Sequence, residues 1–91
     1  MNSIIQDKKK CWVTGSTTGL DKHHCLRGPF RKKADELGLW VWLRHDVHMR
    51  LHQRLHPFEF LEDQLKQVAQ ETYERDHTRE EWMAHFGRSW L

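Results

Sequence analysis

The run Leu39-Trp40-Val41-Trp42-Leu43 constrains this chain more than any other stretch. It is rich in β-branched and aromatic side chains, which suit a pleated, buried position. Alternation along a strand sends Leu39, Val41 and Leu43 to one face and Trp40 and Trp42 to the other. Both faces are apolar, so the strand is expected to lie between packed layers. The chain has 91 residues, enough for one small domain that buries a modest share of its surface.

Punctuation around this strand sets the remaining elements. Cys11-Trp12-Val13-Thr14 reads as a short strand, ending in the turn formers Gly15 to Gly19. Leu20 to Leu26 reads as a second strand, broken by Gly28-Pro29. Lys32 to Leu37 suits one or two helical turns, stopped by Gly38 as a C-terminal cap. After the central strand, Val47, Leu51 and Leu55 recur every four residues, which predicts a helix over about 46–55. Pro57 opens the next helix, about 58–75, with Phe58, Leu61, Leu65, Val68 and Ala69 on one face. Thr78-Arg79-Glu80-Glu81 has the pattern of a capping box. It introduces a last short helix with Trp82, Met83 and Phe86 inside, closed by Gly87. The five tryptophans are read as core filling.

Charge is unevenly placed. Residues 1–58 carry 11 Lys and Arg against 5 Asp and Glu, whereas residues 59–81 carry 3 against 8. Such asymmetry suggests a basic face for a polyanion and an acidic helical flank. Two cysteines, Cys11 and Cys25, do not make a disulfide framework, which favours a reducing compartment. No run approaches the roughly 20 apolar residues of a membrane span. The basic cluster Lys8-Lys9-Lys10 follows Ile4-Ile5, the reverse of a signal peptide. A soluble, cytoplasmic protein without a membrane partner is the expectation.

Chemistry enters with the histidines. Four of eight fall into two pairs, His23-His24 and His48/His52. Neutral imidazole is the commonest metal ligand and a general base near neutral pH. His48 and His52 lie four apart, where Cβ atoms on a helix are about 5–6 Å apart, so both rings can close on one ion. They sit about 100° around the helix from the core stripe, at the border of a cleft. His56 would be about 12 Å from His48 along a continuous helix. It could share the ion only through a looped-out segment, and no glycine occurs from Met49 to Leu55, so His52 is favoured over His56. Adjacent strand residues point to opposite faces. One of His23 and His24 should therefore ligate while the other projects towards substrate. Phosphodiester hydrolysis needs that division between a metal and a base. His45, His77 and His85 are read as surface or boundary residues.

With these pieces in place, the chain resembles a small bacteriophage-type HNH endonuclease of the ββα-metal class. Cys11-Trp12-Val13-Thr14-Gly15 matches the opening knuckle, and Leu20-Asp21-Lys22-His23-His24 the first strand. The connector from Gly28 to Leu39, the strand Val41-Trp42-Leu43, the metal helix with His48 and His52, and the ending from Phe86 to Leu91 also match. The resemblance implies an α+β fold. A ββα-metal core over about 11–56 would hold a two-stranded sheet and a metal-binding helix, followed by a C-terminal helical extension over about 57–91. It implies His23, His48 and His52 as metal ligands, His24 as general base, and Arg27, Arg31, Lys32 and Lys33 on the DNA backbone. A divalent ion (magnesium, manganese, zinc or nickel) and a DNA substrate go with it, in a phage- or prophage-encoded enzyme acting in a bacterial cell.

The sequence departs from the family pattern in two places. Cys11-x-x-Thr14 and Arg44-x-x-Val47 keep one of the four ligands that a structural zinc requires, so no structural zinc is expected. The family's middle asparagine is also missing, since Asn2 is the only asparagine. The alternative reading is a catalytically inactive HNH-fold protein. It would bind DNA or serve phage packaging or recombination through protein partners.

Overall fold

The computed structural model describes residues 1–91. It is a small α+β protein with a two-stranded antiparallel sheet and four α-helices. Strand β1 (Leu20–His24) pairs with β2 (Trp40–Arg44), with Asp21 opposite Leu43 and His23 opposite Val41. Helix α1 (Arg31–Leu37) connects them after a 3-10 turn at Gly28–Phe30. Helix α2 (His45–His52) follows β2 without a break, then α3 (Leu61–Tyr73) and α4 (Arg79–Phe86). The hairpin and α2 form a ββα unit, an order compatible with the expected ββα fold.

Local chemistry explains several element ends. Gly38 terminates α1 at φ 72, and its added Cβ would collide with the Asn2 carbonyl oxygen. Glycine is therefore required there twice over, by conformation and by space. Thr78 accepts from the Glu81 backbone N–H while the Glu81 side chain accepts from the Thr78 N–H, completing the capping box of α4. Gly87 ends that helix in the left-handed region.

One face of the hairpin builds the core. Leu39, Val41 and Leu43 are fully buried with Val47 and Leu51 of α2, Leu65 and Ala69 of α3, and Trp82 of α4. This cluster draws residues from Cys11 to Phe86, so the C-terminal helices share one core with the ββα unit. Gln70, also fully buried, donates to Ser89 Oγ and accepts from the Trp90 N–H, which ties down the chain's end.

The outer face of β2 differs from the expected packed layer. No helix or strand covers it. Residues of the N-terminal segment do so instead: Ser3 Oγ donates to the Trp40 carbonyl and Gln6 Oε1 accepts from the Trp42 N–H. The ammonium groups of Lys22 and Lys9 lie over the Trp40 and Trp42 rings. These side-chain bonds also occupy backbone groups that an open edge would offer to another strand.

Four boundaries depart from the pattern-based reading. Cys11 to Thr14 is a turn, because the chain folds back on Cys11: the Gly15 N–H reaches its carbonyl, and its Sγ accepts from the Thr14 and Arg44 N–H groups. Strand β1 stops at His24, with Cys25 and Leu26 buried beyond it. Helix α2 stops at His52 because Arg54 turns to φ 53, which leaves Leu55 half-exposed. Two turns, at residues 56–57 and 59–60, precede α3, the first closed by Phe58 N–H to the Leu55 carbonyl at 2.7 Å. Among the side chains assigned to the interior, Met83 and Trp12 are exposed.

Candidate metal centre

Strand β1 and helix α2 bring three imidazoles together. His23 faces α2 from the core side of β1, and His48 and His52 project from successive turns of α2. One potential ligand nitrogen from each ring lies within 4.8 Å of the others. Ring centroids are 5.2 Å apart for His23 and His48, 5.7 Å for His23 and His52, and 4.6 Å for His48 and His52. The Nε2 atoms of His48 and His52 are 3.0 Å apart. Two nitrogens bound to one ion at about 2.0–2.1 Å stand about 3.0–3.4 Å apart, depending on the angle between them. The α2 pair is therefore already spaced for an ion.

His23 supplies the strongest sign of a ligand. Its Nε2 is buried and has no hydrogen-bond partner, and the whole residue is 2 % exposed. A buried polar atom left unpaired costs about 1–3 kcal/mol. Burial, followed by the neighbouring His48 and His52, pushes the His23 pKa down to about 3. The ring is thus neutral near pH 7, the form that coordinates a metal. His52 is shifted down as well, first by burial and then by Arg27. The donor chemistry fits a borderline ion such as zinc or nickel, because imidazole suits these and magnesium prefers oxygen.

Asp21 is a part of the site that motif spacing did not reveal. Its Oδ2 accepts from His48 Nδ1 at 3.0 Å and from His45 Nδ1 at 2.7 Å. A carboxylate only accepts, so the proton sits on His48 Nδ1 and the lone pair is on Nε2, facing His52. Such a carboxylate fixes the tautomer of a metal-binding imidazole and raises its basicity. The His48 bond, ahead of the His45 one, holds the Asp21 carboxyl below its usual range. The available signal was positional: Asp21 lies two residues before His23 and so on the same strand face.

His24 points from the other face of β1. Its Nε2 is 2.9 Å from Asp35 Oδ1 on α1, and Arg31 Nε lies 3.4 Å from its Nδ1. It lines a cleft of about 460 Å³ with the three clustered rings and the basic residues Lys22, Arg27 and Arg31, and no hydrophobic residue contributes to the wall.

The expected DNA-contacting residues separate into different surroundings. Arg31 stays on the cleft beside His24. Lys32 lines an adjoining depression with His24, Arg31 and Asp35. Lys33 pairs with Glu36 on its own helix at 3.1 Å. Arg27 pairs with Glu62, an acid of α3 that is mostly buried. Arg27, expected on the DNA backbone, thus has its charge offset by the acidic flank. His56 stays apart from the cluster: its ring is exposed and bonded to Glu59 Oε1 at 2.8 Å.

Cys11 is the residue that the resemblance assigns to an opening knuckle. Its buried sulfur accepts N–H groups from Thr14 and Arg44, and the Arg44 guanidinium pairs with Asp46. No helix is long and apolar enough to cross a membrane. Comparison with protein-family models, curated proteins and solved structures gives no match.

Proposed function

We propose that this protein is a metal-dependent endonuclease of the HNH type that hydrolyses DNA phosphodiester bonds. The reading is carried by one juxtaposition: three converging imidazoles, one with an orphaned buried nitrogen, beside a fourth imidazole in a basic cleft. His23, His48 and His52 would hold the ion. When bound, the ion supplies positive charge to the phosphate as its negative charge grows.

The remaining work falls to the chain's own groups. Arg31, and Lys22 with the part of its charge that Asp35 does not offset, attract and orient the phosphate at the cleft. His24, through the lone pair on one ring nitrogen, would take a proton from the attacking water. Asp21 keeps His48 in the ligating tautomer. The cleft is lined by polar and basic residues with no hydrophobic side chain, which suits a polymer's charged backbone.

The test is plasmid nicking with zinc, nickel, manganese or magnesium, comparing wild type with His24→Ala. Metal-dependent nicking that is lost in the variant supports the proposal. DNA binding without cleavage under every ion leaves the non-catalytic HNH-fold reading in its place. Absence of DNA binding at low salt, where phosphate contacts are strongest, removes both.

A further inference from the structure

Two contacts of opposite character meet the His24 ring. Asp35 Oδ1 lies 2.9 Å from Nε2, and Arg31 Nε lies 3.4 Å from Nδ1. An ionised carboxylate can only accept and a guanidinium can only donate. Both contacts therefore require the same state of a neutral ring, with the proton on Nε2 and the lone pair on Nδ1. Nothing in the spacing of the motifs singled out Asp35, which lies eleven residues beyond His24 on a different element.

We infer that Asp35 is the positioning residue of the general base, fixing the His24 tautomer so that Nδ1 is the nitrogen that receives the proton from water. The inference rests on the reading of His24 as that base. The anchor has its own support. Lys22, two residues before His24 and on the same strand face, donates to the same Asp35 oxygen at 2.7 Å. Lys22 and then His24 hold the Asp35 carboxyl down at about 2, so it is ionised at any pH where the protein works. One acid on α1 thus clamps two cleft residues of β1. An imidazole with a free ring axis would divide its population between two tautomers, only one of which presents a lone pair at Nδ1. Arg31, which meets Nδ1 across the cleft, occupies the place of the attacking water and must swing to the phosphate when substrate enters.

The experiment has two independent readouts on the full chain, with Asp35→Leu, Asp35→Glu and Lys22→Met as variants. Nitrogen-15 NMR of the imidazoles at one pH reports which nitrogen of His24 carries the proton. Single-turnover plasmid nicking with nickel or manganese separates the rate of the chemical step from DNA affinity. Asp35→Leu should give a mixed tautomer signal and a chemical step at least about 10-fold slower, towards the roughly 10⁴-fold lost when the orienting acid of a His–Asp pair is neutralised, with DNA affinity undiminished. Asp35→Glu should restore part of both.

Lys22→Met cuts the salt bridge but leaves the His24 bond, so it should weaken DNA binding and keep the wild-type tautomer. If Lys22→Met instead scrambled the tautomer as Asp35→Leu does, Asp35 would be merely part of a structural salt bridge. A folded Asp35→Leu with the wild-type nitrogen signal overturns the inference. Should wild type cut no DNA with any ion, the nuclease reading fails, and the nitrogen signal alone still decides whether Asp35 sets the ring.

Discussion

Metal should stabilise this fold, by an amount that can be worked out beforehand. The three-histidine cluster leaves one buried nitrogen unpaired and two others 3.0 Å apart, so the folded state offers a site that the unfolded chain lacks. A ligand that binds only the native state adds RT ln(1 + [L]/Kd), about 2.7 kcal/mol at a concentration 100 times Kd. For a domain of this size 1 kcal/mol moves the midpoint by about 4–8 °C. Zinc or nickel at that excess should therefore raise Tm by about 11–22 °C, followed by circular dichroism. Magnesium at the same concentration should do little, because the donors are nitrogens.

His52→Ala is the sharper arm, since His52 is exposed and its removal leaves no cavity. Losing a direct ligand should weaken binding by at least the roughly 100-fold seen at the upper end for orienting partners. At the same zinc concentration only about 0.4 kcal/mol of stabilisation then remains, or about 2–3 °C. His56→Ala should behave as wild type, because its ring bonds Glu59 away from the cluster. The reasoning is refuted if zinc and nickel leave the wild-type midpoint unchanged, or if His52→Ala retains the full shift.

Asp21→Ala should lower zinc affinity about 10–100-fold by releasing the His48 tautomer, as titration calorimetry would show; unchanged affinity would deny Asp21 that role. Acid should weaken the metal-free protein through His23. Its native pKa is lowered to about 3 from 6.5, so between these values the unfolded chain holds a proton that the native chain refuses, and stability falls as pH drops through that window. Urea midpoints measured between pH 7 and pH 4 should fall more steeply for wild type than for His23→Leu, and equal slopes would contradict this. Gly38→Ala should cost well over 1 kcal/mol, since it strains φ 72 and drives a methyl group into the N-terminal segment. A denaturation midpoint within error of wild type would contradict both the left-handed conformation at Gly38 and the close approach of the N-terminal segment.

The parts of this structure legible in the sequence are those set by local chemistry. Gly38 and Gly87 announce left-handed helix ends, Thr78 and Glu81 announce a capping box, and alternation in Leu39, Val41 and Leu43 announces a buried strand face. His48 and His52 were readable as a pair because a helix fixes their spacing. Contacts made across the fold were not. Asp21 meets His48 from 27 positions away and Glu62 meets Arg27 from 35. Either acid, viewed alone, is an ordinary surface charge. Cys11 to Thr14 has strand-like composition, yet the Cys11 sulfur accepts the Thr14 N–H and its carbonyl the Gly15 N–H, which closes a turn. The end of α2 was misplaced because the apolar period ran on to Leu55, whereas Arg54, neither glycine nor asparagine, takes the left-handed turn.

The proposed chemistry depends on strand register as much as on residue identity. Asp21 and His23 occupy one face of β1, while Lys22 and His24 occupy the other. The first face carries a metal-facing imidazole with the carboxylate that orients its neighbour His48. The second carries the proposed base with a lysine of the cleft, both held by Asp35 from α1. Because side chains alternate strictly, a slip of one residue would send His24 to the core face and His23 to the outer face, away from His48 and His52, and would turn Asp21 away from α2. Backbone bonds just outside the ladder resist that slip: the His45 N–H reaches the Gly19 carbonyl at 2.9 Å and the Cys25 N–H reaches the Leu39 carbonyl at 3.0 Å. Cys25 and Leu26, both buried beyond the end of β1, add an apolar stop. On the proposed reading, residues outside the site thus decide which histidine would ligate and which would accept the proton, because they decide which face of a five-residue strand each one occupies.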